Sequence, residues 1–328
     1  MRQRSHIRIV RFRSVSLPKS SLPWRLLRQN PQSISLSSRG FDGGSERSRQ
    51  VLGDAAASFV SGFNDVIDSA SIGDLHDRLS GVPVEQRGFA YEGAGMACTI
   101  LDILTSARGR RVAALLDGPG DGYVHLIHVG TGWGFARLRL RPWLGMSLSD
   151  TMLRWLAWDG WGFHRGFFTP RRTITGRRIE AGLGDAVHIR DQGVGRSLWF
   201  HDCADVAAVA ERIGGFGARR QADLWSGVGL AAAYAGGVCD ADLARLADLA
   251  GPMRAHLAQG VAFAAAARLR SGDLPAHTRC AAEVVAGVPA EEAAEWTDAA
   301  LAGLTGHDSS SYETWRTRIR ERWRQSAA

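Results

Sequence analysis

The hexapeptide Ser226-Gly-Val-Gly-Leu-Ala, residues 226–231, sets the expectation for the fold because two other segments repeat its pattern. Each copy has a polar residue, a glycine, two smaller residues, a large apolar residue and an alanine. The other copies are Glu92-Gly-Ala-Gly-Met-Ala and Gln259-Gly-Val-Ala-Phe-Ala. Gly227 and Gly260 are 33 residues apart, a period typical of stacked helical hairpins. We therefore predict an array of short helical hairpins in the C-terminal half, over residues 204–305, with close helix–helix packing at the small residues.

Residues 227–232 also match the G-x-G-x-x-A fingerprint of dinucleotide-binding proteins. That fingerprint requires a buried strand before the first glycine, whereas residues 222–226 (ADLWS) predict the start of a helix. Close helix packing accounts for all three copies of the pattern. The sequence therefore predicts no nicotinamide or flavin, and no other cofactor.

The pattern of apolar residues changes between residues 111 and 141. Three short runs (112–116, 123–129 and 134–140) alternate in part between apolar and polar residues, and Asp-Gly-Pro-Gly-Asp-Gly and Gly-Thr-Gly separate them. These features predict a small antiparallel β element. The expected fold class is mainly α, with this element making it α+β.

Basic residues are concentrated at the N-terminus, where residues 1–41 carry nine Lys and Arg side chains and no Asp or Glu. The whole chain has a net charge of +7, but residues 42–328 alone have −2. We predict a disordered basic extension over 1–37, an N-terminal α+β region with an aromatic-rich centre over 38–203, and a C-terminal helical-hairpin region over 204–328 that packs with it as one unit. Because the folded part lacks the positive charge that phosphate binding requires, no nucleic-acid partner is predicted.

The residue inventory excludes several common enzyme classes. Lys19 is the only lysine, so the folded part cannot supply the lysine of a phosphate-binding P-loop or of a Schiff base. No stretch is long and apolar enough to span a membrane, so no integral membrane segment is predicted. The scattered cysteines have no metal-ligand spacing and are typical of a reducing compartment, so no metal site is predicted. These cysteines are Cys98, Cys203, Cys239 and Cys280.

Four side chains are candidates for catalytic proton transfer: Glu92, Asp102, His128 and His164. The two carboxyl groups lie in apolar stretches, GFAYEGAGMA and TILDIL, where burial would raise their pKa. Structural ion pairs, with Arg87 and Arg196 as partners, are the alternative. On the predicted strand, His128 and His125 face opposite sides and cannot bind one metal ion. For His128 and His164, a hydrogen-bonded structural role is the alternative to acid–base catalysis.

Aromatic residues are dense in the middle of the sequence, and two interpretations fit them. At helical spacing they ordinarily form part of the core. The alternative is that they line a pocket for a long apolar ligand. The pocket candidates are Tyr91, Trp133, Trp161, Phe163 and Trp225.

Several longer motifs resemble an actinobacterial family of unknown function whose genes accompany enediyne polyketide synthases. The resemblance covers roughly residues 38–324 and implies a cytoplasmic role in forming or maturing the enediyne core, but it supplies no established catalytic residues. The motifs are RGFAYEGAGMA (87–97), HVGTGWGFARL (128–138), LRWLAWDGWGFHRGFF (153–168), DQGVGRSLWF (191–200), RRQADLWSGVGLAAAYAGG (219–237), LAQGVAFAAAAR (257–268) and SYETWRTRI (311–319).

Two functional hypotheses follow, and the sequence leaves open whether the protein is an enzyme. The first is an accessory protein of enediyne-type biosynthesis that acts on a long apolar polyene or polyketide intermediate held in an aromatic pocket. The second is a non-catalytic helical-repeat scaffold that binds the synthase or tailoring enzymes. A closed pocket lined by Glu92 and His164 would favour the first hypothesis, and an open groove with these residues dispersed would favour the second.

Overall fold

Helices make up most of the residues that the structure, a computed structural model, describes (15–19, 22–143, 146 and 152–327). They are α1 (Leu22–Arg25), α2 (Glu46–Asp68), α3 (Ile72–Ser80), α4 (Val84–Leu104), α5 (Arg110–Leu116), α6 (Val124–Arg137), α7 (Leu156–Phe168), α8 (Ala186–His201), α9 (Val206–Gly214), α10 (Ala218–Ala235), α11 (Asp240–Ala250), α12 (Arg254–Arg270), α13 (Ala276–Ala281), α14 (Ala290–Leu301) and α15 (Ser309–Ser326). Short 3-10 and π segments connect several of them. The prediction of a mainly α protein is confirmed.

The predicted β element is wrong. Residues 112–116 lie in α5, and residues 124–129 and 134–137 of the two runs that follow lie in α6. Within the described ranges, the only β contact is an isolated antiparallel bridge between Ser16 and Ser71. Because α6 is buried on nearly all sides, its sequence lacks the polar face that reveals a helical period. Its glycines contact neighbouring helices instead of forming turns.

Pairs of glycines bring successive long helices into backbone contact. A Cβ atom added at Gly93 of α4 would lie 1.9 Å from the carbonyl oxygen of Phe59 in α2, and one at Gly62 of α2 would lie 1.9 Å from that of Ala90 in α4. No side chain fits into such a space. Reciprocal glycine pairs join the next helices in the same way, with 1.8–2.7 Å between the added Cβ atom and a carbonyl oxygen of the neighbouring helix. The pairs are Gly95 and Gly130 between α4 and α6, Gly132 and Gly160 between α6 and α7, Gly162 and Gly193 between α7 and α8, Gly195 and Gly227 between α8 and α10, and Gly229 and Gly260 between α10 and α12.

Of these long helices, α8, α10 and α12 each run in the same direction as the neighbouring helix. His188, near the start of α8, bonds Asp223, near the start of α10, and Trp199, near the end of α8, donates to the carbonyl oxygen of Gly236 just after α10. The end of α12 is likewise joined to the end of α10, because Arg268 donates to the carbonyl oxygen of Tyr234. The short helices α5, α9 and α11 lie between consecutive long helices along the chain and return it to the starting side.

The row of long helices curves until α12 meets the beginning of the row again. Arg268 of α12 donates to the carbonyl oxygen of Glu85 at the start of α4. Phe89 of α4 also contacts Tyr234 of α10, with ring centroids 5.3 Å apart. Buried side chains from Leu17 to Ile319 form one connected apolar cluster. Side chains on the inner faces of α4, α7, α8 and α10 therefore come together.

Part of the predicted basic extension packs against the helices. Leu17 donates its N–H to the carbonyl oxygen of Ala70, and Gln29 exchanges hydrogen bonds with the Asn64 side chain. Ile34 and Leu36 are buried. The rest of the predicted extension, residues 1–14, 20 and 21, lies outside the described residues. None of the helices that the structure describes combines the length and the apolar character needed to cross a bilayer.

Glycine substitutions should separate the effect of helix packing on stability from the effect of helix propensity. Gly193→Ala places a Cβ 1.8 Å from the carbonyl oxygen of Asp159, so we expect it to lower the free energy of unfolding by about 3 kcal/mol or more. Gly53→Ala, in α2 with no atom within 4 Å of the added Cβ, should raise it by about 0.5–1 kcal/mol. Urea unfolding followed by circular dichroism measures both. Equal effects at the two positions would contradict the packing account.

Candidate functional site

A narrow cavity lies on the inner side of the curve, between α2, α4, α6, α7 and α8. Its volume is about 30 Å³, enough for a few water molecules. Its wall is aromatic and aliphatic apart from two charged residues, Glu92 and Arg196. The lining residues are Ile34, Ala55, Ala56, Phe59, Phe89, Glu92, Trp133, Phe163, Phe167, Arg196 and Phe200.

Arg196 links the two carboxyl groups beside this cavity. Its Nη1 donates to Oδ1 of Asp159 at 2.6 Å, and its Nη2 lies 3.7 Å from Oε1 of Glu92. Gln192 donates to the other oxygen of Asp159 at 2.8 Å, and the guanidinium of Arg196 lies over the ring of Phe163. Arg196 therefore forms its stronger ion pair with Asp159. Glu92 is left with the weaker, longer contact.

Burial raises the pKa of Glu92 to about 7. The removal of the carboxyl group from water is the main cause, and the nearby charge of Asp159 adds to it. Arg196 and the indole of Trp133 favour the charged form and oppose the shift without cancelling it. Near neutral pH both protonation states of Glu92 are populated. The group can then give or accept a proton.

The position of these polar side chains follows from the helix packing. Glu92, Asp159 and Gln192 each precede a glycine, and the carbonyl oxygen of each touches a glycine of the next long helix. The polar side chains therefore start where neighbouring backbones are closest, and they lie side by side. Ser226 continues the row by donating to Gln192 at 3.2 Å.

Asp102 lies away from the cavity and holds the start of α5. Its carboxylate accepts the backbone N–H groups of Arg111 and Val112 at 2.9 and 3.2 Å, and the guanidinium of Arg111 donates to it at 3.0 Å. Arg87, which the sequence suggested as a partner for a buried carboxyl group, donates to the carbonyl oxygens of Ser80 and Val82 instead. Arg196 is a partner of Glu92, as suggested.

The two candidate histidines do not line the cavity. His128 is buried on α6, and burial lowers its pKa to about 4. Since α6 is a helix, His125 lies one turn before His128 on a neighbouring part of its surface, and the expectation of opposite sides fails. His164 packs on Trp133 and Phe168, and burial lowers its pKa to about 3. Both histidines are neutral at pH 7.

Two of the five pocket candidates line the cavity. Trp133 and Phe163 face each other there, with ring centroids 4.9 Å apart. Tyr91 instead stacks on Tyr123 and donates to the carbonyl oxygen of Pro119. The remaining two lie elsewhere: Trp161 donates to the carbonyl oxygen of Leu140, and Trp225 is buried in α10.

The sequence also contains lining residues that were not predicted. Phe59, Phe89 and Phe200 come from three different helices and meet only because those helices curve around one space. The sequence pattern that indicates the polar side chains of the site is the repeated pair of a polar residue and a glycine, which also occurs at Asp159-Gly and Gln192-Gly.

Comparison with known families gives one match. The model of a family described as "Protein of unknown function (DUF1702)" matches residues 20–323. The chain belongs to this family. No curated protein and no solved structure matches the chain. The family match begins at residue 20 and so includes part of the predicted basic extension.

The site offers acid–base chemistry in an apolar setting. Within the described parts of the chain, no group of three or more His, Cys, Asp or Glu side chains is placed to hold a metal ion. The residues around the cavity supply one carboxyl group near half-ionisation at neutral pH, one arginine beside it, and a wall of aromatic rings.

The pKa of Glu92 should appear in the pH dependence of stability. The unfolded chain loses this proton near pH 4.5 and the folded protein only near pH 7, so raising the pH through this window destabilises the wild type. Glu92→Gln has no ionisable group at this position, so the variant does not lose stability in this way. Its free energy of unfolding, relative to wild type, should rise by about 2–3 kcal/mol between pH 4.5 and 7 and then stay constant.

Urea unfolding at several pH values measures this difference, and Glu295→Gln, at an exposed position of α14, controls for the removal of one carboxyl group. A relative stability that falls with rising pH would show that Glu92 is ionised in the folded protein well below pH 7.

Proposed function

We propose that this protein binds a slender apolar chain in the inner cavity and that Glu92 transfers a proton to or from that chain. The observation that carries the proposal is a carboxyl group with a pKa of about 7 in the wall of a narrow aromatic cavity. Such a pKa suits a group that must act as both acid and base near pH 7.

The shape and wall of the cavity favour a thin, conjugated ligand. A space only a few water molecules in size between phenylalanine and tryptophan rings excludes bulky ring systems and has room only for a short segment of a chain one carbon atom wide. Flat conjugated segments pack well against aromatic faces, and the burial of apolar surface drives their binding. A polyene or polyketide intermediate has these properties.

The polar cluster supports proton transfer without a cofactor. A protonated Glu92 can donate to one carbon of a conjugated chain, and its carboxylate can take a proton from another carbon. One C–H bond then forms, another breaks, and the double bonds shift with no net oxidation. Arg196 holds the carboxylate in place, and Asp159 balances the charge of Arg196. In enediyne-type biosynthesis, which the resemblance of the motifs implies, the ligand is the nascent polyene.

A second candidate function is that of a non-catalytic scaffold for a synthase or its tailoring enzymes. The observation that favours it is the dispersal of the other candidates: Asp102 holds α5, and His128 and His164 do not line the cavity. An array of closely packed helices also offers an extended outer surface for protein partners.

A pair of substitutions in α2 tests ligand binding. Ala56 lines the cavity and Ala57, its neighbour, is exposed. A fluorescent tetraene hydrocarbon should bind the wild type, with an increase in its emission as it leaves water. Ala56→Leu fills part of the cavity and should weaken binding at least tenfold, whereas Ala57→Leu should leave it unchanged. Equal affinities for both variants would place the ligand elsewhere, and circular dichroism checks that both are folded.

Gene deletion distinguishes the two candidate functions. We expect the deletion strain to accumulate an apolar intermediate, and the wild-type gene to remove it. Glu92→Gln, which keeps the shape of the side chain, should fail to complement while the variant protein remains folded and binds the tetraene. Full complementation by Glu92→Gln would reject proton transfer and favour the scaffold.

A further inference from the structure

A second narrow cavity lies on the other side of Arg196. Its wall comes from α6, α7, α8, α10, α12 and α15 and is mostly apolar, with Leu126, Leu230 and Phe263 among the lining side chains. Its volume is about that of the first cavity, roughly 30 Å³. Among its lining residues, His125, Arg196 and Tyr234 carry polar groups, which the surrounding side chains cover almost completely.

The two cavities are adjacent. Arg196 lines both of them. Phe89 of the first cavity also touches Tyr234 of the second, edge to face, with ring centroids 5.3 Å apart. A chain bound beside Glu92 therefore needs to pass only these side chains to reach the second cavity.

Tyr234 presents an unpaired hydroxyl group in this region. The residue is 3% exposed, and its hydroxyl has no hydrogen-bond partner among the residues that the structure describes. Leaving a buried hydroxyl unpaired is unfavourable, so a group of this kind points to a partner that binds from outside the chain. Burial raises the pKa of Tyr234 to about 12, which keeps the hydroxyl protonated and able to donate.

The surroundings fix the position of this hydroxyl. The guanidinium of Arg268 lies 3.9 Å from the centre of the Tyr234 ring and is itself held by two backbone carbonyl oxygens. On α4, Gly88 leaves the space that the hydroxyl occupies, because a Cβ there would lie 1.9 Å from it. Leu126, which lines the second cavity, packs beside the same glycine. Tyr234 and Leu126 both line the second cavity, so the hydroxyl lies beside it.

We propose that the second cavity binds the oxygen-bearing end of the apolar chain, with the Tyr234 hydroxyl donating a hydrogen bond to a carbonyl or hydroxyl oxygen of the ligand. This inference rests on the proposed function of the first cavity and adds the chemical class of the ligand. The ligand oxygen is uncharged, because the guanidinium of Arg196 is already paired with Asp159 and Glu92 and does not neutralise a ligand carboxylate as well.

Three competitors of equal chain length test the proposal by displacing the fluorescent tetraene: an alkane, a methyl ketone and a carboxylate. On the wild type, the ketone should bind about tenfold more tightly than the alkane, and the carboxylate should bind most weakly. Tyr234→Phe should remove the preference for the ketone and leave the affinity for the alkane unchanged. Because it deletes only an unpaired oxygen, this variant should fold as well as the wild type.

Tyr91→Phe is the matched control, since its hydroxyl already donates to Pro119 outside both cavities. It should keep the preference for the ketone. Equal binding of ketone and alkane to the wild type, a ketone preference that survives in Tyr234→Phe, or tightest binding of the carboxylate would each overturn this inference alone. If the tetraene itself does not bind the wild type, the function proposed for the first cavity fails as well.

Discussion

Backbone contact between successive long helices is the constraint on which the rest of the structure depends. Each contact needs a glycine on both helices, since a Cβ at any of these positions would lie within 1.8–2.7 Å of a carbonyl oxygen. Helices packed through larger side chains stand about 8–10 Å apart. With glycine at the crossings, the axes come closer, and the row of helices curves tightly enough for α12 to reach the start of α4. A wider spacing would separate the side chains that form the site.

The same contacts explain why a polar cluster lies in the core. Glu92, Asp159 and Gln192 stand at helix crossings, where little side-chain volume is available and the backbone carbonyl groups are covered by the next helix. Their side chains extend from adjacent points and satisfy one another through Arg196. Packing therefore determines where the polar atoms are, and the partial pairing of Glu92 determines its chemistry.

The sequence predicted the helical packing but only part of the site. The repeated polar–Gly pattern identified the role of Gly227 and Gly260 because small residues at a fixed period are typical of helices in close contact. It could not separate Glu92 from Asp102: both are carboxyl groups in apolar stretches, and only the fold shows that one lines a cavity while the other holds the start of α5. Helix α6 was mistaken for strands because a helix buried on all sides has no polar face.

The common direction of α8, α10 and α12 gives this part of the molecule a permanent electrical polarity. In an antiparallel arrangement the peptide dipoles of neighbouring helices cancel, whereas those of these three helices reinforce one another. Each helix carries the equivalent of about half a positive charge at its N-terminus and half a negative charge at its C-terminus. The two ends of this group of helices therefore differ in electrostatic potential even before any ionised side chain is counted, and a charged molecule approaching one end meets the opposite field from one approaching the other.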